Sequence, residues 1–188
     1  MITAIDNNTA LILIDLQKGI VGYPTVHPMS DILEQCAKLV AAFREANLPV
    51  VIVNVNAGGA AWTRTRKDAK QSSGAYKDDF MEITHEIKTL PDDIFITKHT
   101  WGAFFETSLQ DELQKRGVTG IVMAGVSTSK GVEGTARQAS ERAYNISFAA
   151  DAMTDMVAAA HHNSLNVIFP GMGEVGTADD IIAKIKGA

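Results

Sequence analysis

Five short apolar runs constrain this chain more than any other feature: residues 10–14, 50–53, 94–96, 120–124 and 146–150. A run without polar alternation reads as a strand buried on both faces, as in a parallel sheet. Parallel strands need crossovers, and the intervening segments have helical periodicity. Ile32, Leu33, Cys36, Leu39, Val40 and Phe43 recur at helical spacing, with Ser30 read as the cap and Pro49 following. A second helix is expected from about Phe105 to Arg116, stopped by Gly117 at C′. Further helices are expected over roughly 131–144 and near 157–169, ending at Pro170. A last short strand near 174–175 precedes Thr177-Ala-Asp-Asp180, a capping box with Asp in place of Glu. Alternating strands and helices predict a three-layer α/β/α, Rossmann-like domain with a mostly parallel sheet. The length suits a single domain over residues 1–188.

Residues 57–92 break the rhythm. They hold Gly58-Gly59, a basic cluster (Arg64, Arg66, Lys67 and Lys70) and Ser72-Ser73-Gly74. Connections this long are usually functional, and the segment is read as a loop or short helix bordering a pocket. The basic cluster reads as a solvated loop, or as a patch that steers an anionic substrate.

The net charge of −5 argues against a nucleic-acid partner, which needs a basic face. Cys36 is the only cysteine, so no intrachain disulfide can form, and its place on an apolar helix face marks it as core. No apolar run has the ~18 residues of a membrane span, and the first residues lack a signal-peptide pattern. The expectation is a cytoplasmic protein without a membrane partner.

Three chemically capable elements fall at strand ends. Asp15 follows the first run, Lys98 the third, and Gly125–Gly131 the fourth. Ligands of open α/β sheets bind at the carboxyl edge, so these converge on one candidate site. A buried carboxylate at Asp15 must be paired, hydrogen-bonded or protonated. It reads as a general acid or base near Lys98, or as a turn cap. Lys98 tunes that acid, or snorkels to water beside Trp101 and Phe104. Gly131 opens a helix, where backbone N–H groups favour negative charge, or it only permits a tight turn. Ser127, Thr128 and Ser129 share the turn, and no histidine is evident to activate one of them. His161 and His162 diverge on a helix and do not suggest a metal.

The motifs Leu-Ile-Asp-Leu-Gln at 13–17, Thr-Lys-His-Thr-Trp-Gly-Ala-Phe at 97–104 and Gly-Val-Ser-Thr-Ser-Lys-Gly-Val-Glu-Gly-Thr-Ala-Arg at 125–137 resemble the isochorismatase-like (cysteine hydrolase) superfamily. The resemblance runs from Thr9 to about Ile185. It implies six strands, a homo-oligomer (a dimer or higher), and a cis peptide bond between Val126 and Ser127. It also implies Asp15, Lys98 and Gly131 as catalytic positions, with Gln17, Trp101, Phe104, Val126, Ser127 and Thr128 binding substrate; by their residue types alone, Trp101 and Phe104 read equally as plain core. Most members carry a cysteine where this chain has Gly131, so a thioester route is closed here. True isochorismatases are similar in having glycine there, and they hydrolyse a vinyl ether without a nucleophilic residue. Nicotinamidases bind a metal through an Asp-x-His element, and the matching stretch here, 53–57, has neither residue. No metal and no cofactor are expected. The expectation is a hydrolase of a small, carboxylated molecule, with vinyl-ether cleavage as one possibility. The alternative is a catalytically silent binding or assembly protein that keeps the fold.

Overall fold

The computed structural model describes residues 1–58, 60–68 and 76–187. Gly59, Lys70, Ser72, Ser73 and Gly74 lie outside the described residues.

Six parallel strands form one sheet in the order β3-β2-β1-β4-β5-β6. They are β1 (Thr9–Ile14), β2 (Val50–Val55), β3 (Ile94–Lys98), β4 (Gly120–Val126), β5 (Asn145–Thr154) and β6 (Glu174–Gly176). The helices are α1 (Lys18–Val21), α2 (Met29–Glu45), α3 (Leu109–Lys115), α4 (Glu133–Ser140), α5 (Ala158–Asn163) and α6 (Ala178–Lys186).

The unbroken apolar run of β1 follows from burial on both faces. Ala10, Ile12 and Ile14 join a core layer shared with Leu109 and Leu113 of α3 and with Ala136 and Ala139 of α4. Leu11 and Leu13 face the other way, onto Leu39, Val40 and Phe43 of α2 and Ile181 of α6. This is the three-layer arrangement expected from the run pattern. β3 alternates buried and exposed residues instead, because it lies at the sheet edge.

Several boundaries differ from the sequence reading. Ser30 does not cap α2; the helix begins at Met29 behind Pro28, two residues earlier than that cap implies, and Ser30 Oγ donates to Asp31 Oδ1 at 3.0 Å. The expected 105–116 helix starts only at Leu109, because Glu106 sits at φ 53° and breaks helical continuity. Gly117 does close α3 at φ 63°, with its own N–H on Gln114 O and that of Val118 on Leu113 O. The 131–144 helix is shorter, running as α4 after a wide π-turn over Thr128–Val132. The 157–169 helix widens and then tightens: α5 continues as a π-turn over Ser164–Ile168 and a 3₁₀ turn over Phe169–Gly171. The Thr177–Asp180 capping box is present.

The strand order decides where a site can form. Chain progression runs outward from β1 through β2 to β3, then restarts on the other side of β1 with β4. The β1/β4 boundary is therefore the topological switch point, where crossovers leave in opposite directions and open a crevice at the carboxyl edge. Among the described residues no helix is long and apolar enough to cross a membrane.

Candidate active site

Asp15 leaves β1 at the switch point with φ 54°, a left-handed backbone uncommon for a residue with a side chain. Its N–H donates to Val53 O at 2.9 Å, so β2 fixes the turn. Residues held in such conformations concentrate at functional sites. Lys98 ends β3, two strands away, and crosses the end of β2 to reach it. The ammonium donates to Asp15 Oδ2 at 2.8 Å and to Thr100 O at 3.2 Å. Both residues are buried, Asp15 at 6% exposure and Lys98 at 2%.

Asp15 Oδ1 is buried without a hydrogen-bond partner among the described residues. Burial dominates the titration of this carboxyl and pushes its pKa up to about 6, against the partial opposition of the Lys98 charge and hydrogen bond. Near neutral pH a carboxyl of this kind populates both its acid and its base form, which suits it to proton transfer.

The third element arrives from β4. Its turn holds a cis peptide bond between Val126 and Ser127. Gly131 follows inside the π-turn, packed tightly against the first strand. A Cβ placed there would lie 3.1 Å from Asp15 Oδ2, 3.3 Å from Val126 O and 2.8 Å from Ile14 Cγ2. The backbone approaches the acid so closely that glycine fits and a side chain would displace Ile14. Thr135 Oγ1 donates to Gly131 O at 2.7 Å and accepts from Ala103 N at 3.1 Å, binding this turn to the segment after Lys98.

A cavity of about 320 Å³ opens over these groups, lined among others by Asp15, Lys98, Trp101, Val126, Ser127 and Gly131. Its walls are aromatic: Tyr23, Trp62, Tyr76, Phe80 and Trp101. Trp62 and Trp101 meet edge to face at 6.5 Å, and Trp62 Nε1 donates to His99 O. Tyr76 and Phe80 lie 4.0 Å apart. Two other cavities, of about 320 and 720 Å³, open at the amino ends of the strands, away from these residues.

Three residues expected at the substrate lie elsewhere. Gln17 is wholly buried: Nε2 donates to Val55 O and Phe80 O, and Oε1 accepts from Val55 N. All its hydrogen bonds are with backbone, so it clamps the loop that carries Phe80 and does not line the cavity. Phe104 packs into the core against Tyr144, with the Arg142 guanidinium 5.0 Å from its ring centre. Thr128 is buried beneath the turn with His161 Nδ1 2.9 Å from its hydroxyl. A histidine therefore does stand beside a turn hydroxyl, contrary to the sequence reading. Neither residue lines the cavity, and burial holds the His161 pKa below its ordinary value. The pair pins the turn to α5.

Tyr23, Trp62, Tyr76, Phe80, Lys130 and Met156 also line the cavity and were not singled out from sequence. Aromatic residues in the aperiodic stretch 57–92 were the available signal. In the basic cluster, Lys67 Nζ sits 4.1 Å from the Trp62 ring centre. Cys36 is buried in the core, its thiol donating to Ala152 O at 3.3 Å. Among the described residues no group of three or more His, Cys, Asp or Glu is placed to hold a metal ion.

The isochorismatase domain model matches residues 9–180, and the chain belongs to the isochorismatase family, a family of hydrolases. The isochorismatase family protein YwoC of Bacillus subtilis is 36% identical over 181 residues, covering 95% of this chain and 94% of that protein. The solved structure of an isochorismatase family protein from Burkholderia thailandensis superposes with a TM-score of 0.93 at 35% identity, covering 99% of this chain and all of that one. Maleamate amidohydrolase of Pseudomonas putida is 26% identical over 189 residues, covering 94% of this chain and 86% of that protein.

Proposed function

We propose that this protein hydrolyses a small carboxylated metabolite by proton transfer at Asp15, without a covalent intermediate. One observation carries the reading. A buried carboxyl with a raised pKa faces the cavity beside Lys98, while the adjacent position 131 is glycine and offers no nucleophile. The named substrate of the Pseudomonas putida relative, maleamate, is a small carboxylate, which supports that substrate class.

A vinyl ether suits this equipment best. Asp15 gives its proton to the enol-ether carbon, and the C=C electron pair becomes the new C–H bond. Water adds to the resulting oxocarbenium carbon and returns a proton to the Asp15 carboxylate. The hemiketal then breaks its C–O bond, leaving a carbonyl compound and an alcohol. Lys98 holds Oδ2 and keeps the carboxyl pKa from rising further. The Gly131 and Ser127 backbone, with Val126 and Trp101, holds the substrate. In this reading residues 1–188 act as one domain, in a cytoplasmic homo-oligomer, with no cofactor.

The test is a turnover screen of vinyl ethers, amides and esters on wild type and Asp15→Asn, with thermal-shift ligand profiling alongside. Vinyl-ether turnover that needs Asp15 supports the reading. Tight metabolite binding with no Asp15-dependent turnover replaces it with the silent binding protein.

A further inference from the structure

The cavity has a second cation that the proton-transfer chemistry does not use. Lys130 immediately precedes Gly131, is exposed, and lines the same cavity as Asp15 and Lys98. Its side chain has no ion pair or hydrogen bond with any described residue. Two acids that flank or touch this turn, Asp155 and Glu133, are committed elsewhere. Asp155 Oδ2 accepts from both the N–H and the hydroxyl of Ser129 at 2.7 Å. Glu133 pairs with Arg137 at 2.8 Å and accepts from Ser164 Oγ at 2.6 Å.

Charge in the cavity is therefore unbalanced. Lys98 is matched by Asp15, whose carboxyl is itself partly protonated near neutral pH, and Lys130 is matched by nothing described. The remaining lining includes five aromatic side chains, of which Tyr23, Tyr76 and Trp101 are each about half exposed. Exposed aromatic surface gathered at one opening marks a ligand groove. A cation set among aromatic walls recognises an anion borne on a flat, unsaturated body.

We infer that Lys130 is a specificity-determining residue that binds the substrate carboxylate at the cavity mouth, and that the aromatic walls select a planar conjugated or ring acid. The inference rests on reading this cavity as the substrate site. It adds which residue reads the carboxylate and what body carries that group. Lys130 sits one residue from Gly131, so a carboxylate held by it positions the rest of the substrate over Asp15.

Calorimetric titration with benzoate, cinnamate and succinate, each against its neutral amide, tests this without turnover. Wild type should bind at least one aromatic carboxylate and prefer it to the amide and to saturated succinate. Lys130→Gln should weaken that binding about tenfold or more, the effect of losing a charge-assisted hydrogen bond. Lys130→Arg should restore most of it, and Asp15→Asn should keep it. Retention in Asp15→Asn separates this site from the catalytic proposal: carboxylate binding lost only in Lys130→Gln supports the inference even if no Asp15-dependent turnover exists. Unchanged binding in Lys130→Gln, or no carboxylate bound by wild type, overturns it. A loss in Lys98→Met that Lys130→Gln does not share overturns it in favour of Lys98 as the anion site.

Discussion

Lys98 Nζ meets Asp15 Oδ2 at 2.8 Å although 83 residues separate them in sequence. The contact crosses two strand spacings, about 10 Å of sheet, and is buried from solvent. It ties the ends of β1 and β3 together and partly offsets the rise in proton affinity that burial imposes on the acid.

Asp15→Asn should lower turnover by about 10²–10⁴-fold, the usual contribution of a positioned acid or base. Near-wild-type kcat/KM in a correctly folded variant, checked by circular dichroism, would contradict the mechanism.

The pH profile should have a defined sign. Protonating an enol ether requires the acid form, so kcat/KM should fall as pH rises through about 6, where Asp15 loses its proton. A profile that rises through this region would assign Asp15 as a base and rule out vinyl-ether protonation.

Stability should follow the same group. The folded Asp15 pKa lies above its ordinary 3.8, so its contribution is complete below 3.8 and is lost as pH rises through about 6. Relative to Asp15→Asn, wild type should lose on the order of 3 kcal/mol across that window. Urea midpoints of both proteins measured on either side of it check this. A constant difference would mean that Asp15 ionises normally.

Gly131→Ala should destabilise the fold by about 1–3 kcal/mol, because the new Cβ overlaps Ile14 in a packed core. For the same reason Gly131→Cys should not yield an efficient thiol amidase. Equal denaturation midpoints for wild type and Gly131→Ala would show that the turn relaxes freely.

Iodoacetamide should leave native activity intact. Cys36 is the only cysteine, it is buried, and burial pushes its thiol pKa far up, away from the reactive thiolate. Rapid inactivation at one equivalent of label would refute this.

The layered fold was legible because strands buried on both faces leave unbroken apolar runs, as in Ala10–Ile14. Asp15, Lys98 and Gly131 stood out because each follows such a run. Strand order was not legible, since pairing is a long-range choice that local pattern does not encode. The wide turn at Thr128–Val132 was equally hidden. Gln17, Phe104 and Thr128 were misplaced for a related reason. Sequence proximity to Asp15, Lys98 and Gly131 says nothing of side-chain direction, and all three turn into the core or onto backbone. The aromatic walls were missed because Trp62, Tyr76 and Phe80 lie in a stretch with no periodicity to read.

In the folded protein Asp15 should retain its proton well above the ordinary aspartate range. Carbon-13 NMR titration of the Asp15 carboxyl, assigned with Asp15→Asn, measures this without any substrate. The midpoint should lie near 6 in wild type, and higher in Lys98→Met, where the opposing charge is gone. A wild-type midpoint at or below 3.8 would contradict it.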